Sequence, residues 1–174
     1  MVAHGVVYVG SSDGNLYAFS AAGTTGCSGT PKTCKPLWAG ATGTDAIISS
    51  PAVANGVVYT PSGHGKLYAF SAAGTTACSG TPKTCKPLWT GTSRWGILSS
   101  PAVTNGVVYA GAADSKLYAF SAAGTTACSG TPKICKPLWT GTTDALDYSD
   151  SAPVVANGVV YVGSSDTKFY AFSR

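Results

Sequence analysis

The chain repeats one pattern of hydrophobic and polar positions, and the second copy shows it most clearly. In residues 66–74, KLYAFSAAG, aliphatic or small side chains alternate with aromatic ones, as in a strand with two different faces. The β-branched stretch Val57–Gly65 precedes it and follows an Asn-Gly pair at 55–56, which is typical of a hairpin turn. An apolar run before that pair and KPLWTG at 86–91 complete a prediction of four antiparallel strands.

This pattern occurs four times along the chain. Tyr17, Tyr68, Tyr118 and Tyr170 occupy its equivalent positions, at spacings of 51, 50 and 52 residues. A period near fifty with frequent turn signals is typical of β-propeller blades. We therefore predict an all-β, single-domain propeller over residues 1–174, with repeats at approximately 1–46, 47–96, 97–147 and 148–174, the last without its outer strand.

The repeat resembles that of PQQ-like (quinoprotein-type) β-propellers, through SSPAVANGVVY at 49–59, KLYAF at 66–70 and LW at 88–89. The resemblance covers essentially the whole chain. It implies that a Trp of each outer strand docks on the neighbouring blade, a role that falls to Trp38, Trp89 and Trp139. Two departures stand out: Ser replaces the family's Asp after the third strand, and an insertion with two Cys precedes the Trp.

Each insertion carries a C-x6-C pair: Cys27 and Cys34, Cys78 and Cys85, Cys128 and Cys135. A local disulfide is the favoured reading, with reduced thiols and a metal site as alternatives. Two Cys supply half of a zinc site, and neither His recurs beside them. A disulfide would hold an otherwise floppy loop, stabilising it by about 2–3 kcal/mol, and would indicate an extracellular or periplasmic protein. Residues 1–10 lack the features of a signal peptide.

Four blades would leave a sheet face uncovered at each end of the arc. PQQ-like propellers commonly close at about seven or eight blades, so the resemblance implies a homodimer of four-bladed chains that completes an eight-bladed ring. An end-to-end contact of this kind either closes or continues as an open assembly. A filament or larger ring is the second possibility, and four blades cut from a longer chain the third.

Composition weighs against catalysis. Glu is absent, and the only His are His4 and His64, both at expected turn positions. Asp13, Asp114 and Asp166 also occupy expected turns, where Asp side chains bond the backbone. Quinoproteins of the resembling class bind a quinone and Ca²⁺ through Glu, Asn and Asp, a set that this chain does not carry. We therefore expect no enzyme activity, cofactor or metal. The sequence contains no apolar run long enough to span a membrane.

The connections between blades vary most and provide candidate recognition residues. The third connection carries Asp144, Asp147, Tyr148 and Asp150, either solvated loop acids or a weak Ca²⁺ site. The second carries Arg94 and Trp95, a pair of residue types common in binding hot spots. Packing of Trp95 against the fold is the alternative.

Six of the nine Lys flank the Cys pairs and give the chain, with net charge +4, a basic fringe. This fringe either prevents edge-to-edge aggregation or attracts acidic glycans and cell-wall polyanions. Aromatic residues are not interleaved with these Lys, so we expect no nucleic-acid binding. The sequence predicts a non-enzymatic, self-associating scaffold that contacts a protein partner; an extracellular carbohydrate or cell-wall polyanion binder is the alternative, and a quinoprotein dehydrogenase fragment is less favoured.

Overall fold

The structure, a computed structural model, describes residues 1–144 and 151–173 and is all-β, with no helix in these residues. The first repeat contains β1 (Val2–Ala3), β2 (Val6–Gly10), β3 (Asn15–Ser20), β4 (Cys27–Ser28), β5 (Thr33–Cys34) and β6 (Trp38–Ala41). The second contains β7 (Ala52–Ala54), β8 (Val57–Ser62), β9 (Lys66–Ser71), β10 (Cys78–Ser79), β11 (Thr84–Cys85) and β12 (Trp89–Thr92).

The third repeat contains β13 (Ala102–Thr104), β14 (Val107–Ala112), β15 (Lys116–Ser121), β16 (Cys128–Ser129), β17 (Ile134–Cys135) and β18 (Trp139–Thr142). The fourth contains β19 (Val154–Ala156), β20 (Val159–Gly163) and β21 (Phe169–Ser173). In each repeat, the strands outside the Cys-containing hairpin form one antiparallel blade. In the first repeat their order is β1-β2-β3-β6. The predicted all-β propeller fold is confirmed.

The tight turns follow from residues that tolerate a positive φ. Asn55 and Gly56 join the first two strands of the second blade with φ values of 49° and 73°. His4 takes the place of the Asn in the first blade, with φ of 48°. These conformations suit Gly, Asn and His better than β-branched residues, which explains why the Asn-Gly pairs punctuate the sequence.

The Cys pairs form disulfides, Cys27–Cys34, Cys78–Cys85 and Cys128–Cys135, each closing a two-stranded hairpin. The predicted local disulfides are confirmed, and two of the hairpins make a further contact that the sequence did not predict. Strand β11 pairs in parallel with β6 of the preceding blade, with Cys85 opposite Gly40. Strand β17 pairs with β12 in the same way. These two hairpins therefore extend the sheet of the preceding blade, whereas β4–β5 forms a sheet of its own.

The hydrophobic core is divided among the junctions between blades. At the first junction, Tyr8, Leu16 and Trp38 pack against Val58 and Phe70. The second and third junctions repeat this arrangement with equivalent residues. Because alternate side chains of one strand point to opposite faces, every blade presents one face to the blade before it and the other to the blade after it.

Candidate functional site

A pair of hydrogen bonds joins the outer Trp of one blade to the next blade. Trp89 Nε1 and Tyr59 Oη both donate to the Ala122 carbonyl, at 3.1 and 3.0 Å. Trp38 and Tyr8 bond the Ala72 carbonyl in the same way, at 3.2 and 3.0 Å. The structure thus places both Trp at blade junctions, as the family resemblance implies, and it adds a Tyr partner that the sequence did not reveal.

The junction is closed by glycine and by ring packing. A Cβ atom at Gly124 would collide with the Trp89 indole, as one at Gly74 would with Trp38. Burial raises the pKa of Tyr59 to about 12, so its hydroxyl remains a donor well above neutral pH. Trp139, at the third junction, lies with its ring centroid 6.2 Å from that of Phe172.

The second connection holds Arg94 and Trp95 in a tight turn. Ser93 Oγ lies 2.6 Å from the Trp95 carbonyl oxygen and 3.0 Å from that of Gly65, which fixes the turn against the β8–β9 turn of the same blade. Both Arg94 and Trp95 are exposed, and 60% of the Trp95 surface is accessible. Trp95 is therefore not a buried packing residue, and the recognition role of the pair stays a prediction.

The third connection is partly outside the described residues. Asp144 Oδ2 accepts a hydrogen bond from Lys168 Nζ at 2.7 Å, and this bond holds the pKa of Asp144 below its usual range. Asp147, Tyr148 and Asp150 lie outside the described residues, so the cation site remains a prediction. Within residues 1–144 and 151–173, no group of three His, Cys, Asp or Glu could hold a metal ion.

The first connection contains a contact that the sequence analysis missed. Asp45 Oδ1 lies 2.5 Å from His64 Nδ1 of the next blade. His64 stands where the other three blades have Asp13, Asp114 and Asp166. The signal available in the sequence was the replacement of Asp by His at this position of the second blade. Its use required knowing that the turn of His64 lies beside the connection that contains Asp45.

Of the three Asp residues that occupy this position in the other blades, two bond the turn in which they lie. Asp13 and Asp166 accept the backbone N–H two residues later, as predicted for turn positions. Each of the three also accepts the hydroxyl of a Tyr on the following strand: Tyr17, Tyr118 and Tyr170. The Tyr bond lowers the pKa of Asp13 and Asp166. These acids are therefore occupied in holding turns.

Two apolar faces lie at the ends of the described arc. The leading face consists of Val7, Val9, Tyr17 and Phe19 on the first blade, and the trailing face of Tyr161, Phe169 and Ala171 on the fourth. Phe169 is 72% exposed, whereas its equivalents Leu67 and Leu117 are 0% and 1% exposed. Val9 is 45% exposed and its equivalent Ala110 is fully buried. Both faces thus expose positions that internal junctions cover.

Residues 28–174 match the family described as "Outer membrane protein assembly factor BamB", a PQQ-type repeat family. The chain belongs to this family. BamB from Moraxella catarrhalis superposes with a TM-score of 0.66 and 15% identity, over 97% of this chain. The chain spans 46% of that BamB structure.

A second similar fold was produced by design. The computationally designed Ika4 protein superposes with a TM-score of 0.69 and 13% identity, over 99% of this chain and 87% of that one. At such identities the similarity shows the propeller fold alone. No curated protein sequence matches the chain. The described residues of this BamB-family chain include no helix long and apolar enough to cross a membrane.

Proposed function

We propose that the chain is a non-enzymatic propeller scaffold whose two copies close one eight-bladed ring. The observation that carries this proposal is the complementarity of the leading and trailing faces. At the second junction, Tyr59, Leu67 and Ala69 pack against Val108 and Phe120. Tyr161, Phe169 and Ala171 are the equivalents of the first group, and Val7 and Phe19 of the second. A trailing face therefore matches a leading face of another copy.

The energy available from such a contact is substantial. Burying a Phe side chain that is otherwise exposed contributes about 1.5–3 kcal/mol, and Phe169 is 72% exposed in the single chain. A contact between one leading and one trailing face is heterologous, so it assembles without limit unless the rotation closes. Eight blades, four from each chain, would close the ring through two identical junctions.

Solution mass tests this proposal. We expect multi-angle light scattering of the 174-residue chain, disulfides intact, to give twice 17.4 kDa. Phe169→Asp places a charge in the trailing face and is expected to give the monomer mass. Ile134→Asp is the matched control, because Ile134 is 51% exposed and lies on the hairpin of the third blade, outside both faces. It is expected to leave the mass unchanged.

Other masses have clear meanings. A monomer of the unaltered chain contradicts self-association, and a mass that grows with concentration contradicts the closed ring in favour of an open assembly. Circular dichroism of Phe169→Asp separates loss of the contact from loss of the fold, since the substituted side chain is exposed in the single chain.

Absence of catalysis is part of the proposal. The chain contains no Glu, so it lacks one part of the ligand set that the quinoprotein resemblance implies. We expect no dye reduction when the protein is incubated with pyrroloquinoline quinone, Ca²⁺ and a panel of alcohols and sugars. Quinone-dependent turnover above that of free quinone would contradict the non-enzymatic assignment.

An extracytoplasmic location fits the scaffold role. Disulfides persist in oxidising compartments, and the chain contains three of them. The family's description as an assembly factor supports a role in holding other proteins. Arg94 and Trp95, exposed on a fixed turn, are the residues that we propose contact such a partner. Loss of partner capture with Arg94→Ala and Trp95→Ala would identify that surface.

A further inference from the structure

A cleft of about 720 Å³ lies where the hairpin of the third blade meets the outer strand of the second. One wall is the segment Lys86–Leu88 with Thr90, and the other is the hairpin turn Gly130–Lys133. The walls are held together by the parallel pairing of β12 with β17 and by the Thr90 N–H, which donates to the Lys133 carbonyl at 3.0 Å. The cleft is thus formed by two blades in a fixed arrangement.

The lining of this cleft combines apolar side chains with two cations. Pro87, Leu88 and Pro132 supply the apolar surface, and Lys86 and Lys133 are exposed. No acidic side chain lines the cleft. The two ammonium groups therefore have no carboxylate partner within the lining, and an anion is the ligand that this charge pattern favours.

The preceding junction carries the same residues. Lys35, Pro36 and Leu37 take one side, and Pro82 and Lys83 take the other. The Ala39 N–H donates to the Lys83 carbonyl at 3.0 Å, as Thr90 does to Lys133. Successive blades therefore present the same chemistry, which suits a polymer that repeats both a ring and a charge.

Lysine and aspartate residues occupy different parts of each repeat. No acidic residue occurs between 14 and 44, between 46 and 113 or between 115 and 143, the stretches that contain the six hairpin lysines Lys32, Lys35, Lys83, Lys86, Lys133 and Lys136. The seven Asp lie in the turns after the second strands and in the connections between blades. The hairpin rim is therefore the basic part of a chain whose net charge is only +4.

We propose that this rim cleft binds an acidic polysaccharide, with sugar rings against Pro87, Leu88 and Pro132 and carboxylates beside Lys86 and Lys133. The cleft lining contains no aromatic side chain, so it lacks the stacking platform that single-stranded nucleic acid uses. This proposal is independent of self-association, because both walls belong to one chain.

The test is calorimetric titration of the full chain, disulfides intact, with hexagalacturonate, which carries one carboxylate per sugar. Lys86→Gln/Lys133→Gln is expected to weaken binding at least tenfold. The matched control is Lys66→Gln/Lys116→Gln, which removes the same charge outside the hairpins and is expected to change the affinity less than twofold. Lys35→Gln/Lys83→Gln is expected to weaken binding of longer oligomers.

Three outcomes overturn the proposal. The first is no binding of hexagalacturonate in low-salt buffer. The second is an equal loss of affinity in the cleft variant and the control, which would mean that only net charge matters. The third is equal affinity for polyphosphate or single-stranded DNA of similar charge, which would remove the role of the sugar ring. Retained folding of each variant is checked by circular dichroism.

Discussion

Ala77 and Ala127 adopt left-handed backbone conformations, with φ of 58° and 59°. The equivalent residue in the first blade is Gly26, with φ of 74°. In all three hairpins the carbonyl of this residue accepts the N–H of a Lys, with distances between 2.8 and 2.9 Å. The same bond demands the same backbone geometry, which Gly adopts freely and Ala only at a cost.

Ala77→Gly is therefore expected to stabilise the protein. Relief of the left-handed strain outweighs the added flexibility of the unfolded chain, for a net gain of about 0.5–1 kcal/mol. The measurement is urea unfolding at fixed protein concentration. Gly26→Ala is the reciprocal control and should destabilise, since its Cβ would also lie 3.0 Å from the Lys35 carbonyl oxygen. A destabilised Ala77→Gly variant would contradict this account.

The hairpin is the element for which the structure adds most to the prediction from the sequence. The Cys spacing predicted the disulfide, because a pair repeated within each blade and without added ligands favours a local bond. The pairing of β11 with β6 was not predictable from that spacing. It depends on the preceding blade placing an unpaired edge beside the hairpin, and unpaired edges readily accept another strand.

Two Cys pairs allow the contribution of this contact between hairpin and preceding blade to the free energy of unfolding to be measured. Cys27–Cys34 and Cys78–Cys85 close rings of the same length, with a sequence separation of 7. Cys27→Ala/Cys34→Ala should lose the chain-entropy contribution of about 2–3 kcal/mol. Cys78→Ala/Cys85→Ala should lose more, because Cys85 is buried against the first blade, whereas Cys34 is exposed. Equal losses of unfolding free energy in the two variants would show that the contact of the hairpin with the preceding blade does not stabilise the junction.

At the scale of the whole molecule, each blade depends on its neighbours for a covered face. The two end faces are the exceptions within the described residues, and the proposed ring would cover both. A contact that exists only in the folded assembly stabilises it by mass action. Stability should then depend on protein concentration, which is not expected of a folded monomer.

The midpoint of thermal unfolding should therefore rise with concentration for the unaltered chain. The Phe169→Asp variant should show a midpoint that is lower and independent of concentration, because the trailing face no longer contacts a second copy. Differential scanning calorimetry over a hundredfold range of concentration measures both. A midpoint of the unaltered chain that stays constant over this range would contradict the dimer.

The sequence by itself determined the strands of the blades, the four repeats, the turns and the disulfide partners, because each depends on neighbours along the chain. Alternation, Asn-Gly pairs and C-x6-C spacing are all local. Only the tertiary structure decided that two of the hairpins extend the preceding blade, that Tyr59 shares an acceptor with Trp89, and that Asp45 meets His64. These contacts join residues of different blades, and the local patterns within one repeat do not specify which side chains meet across a junction.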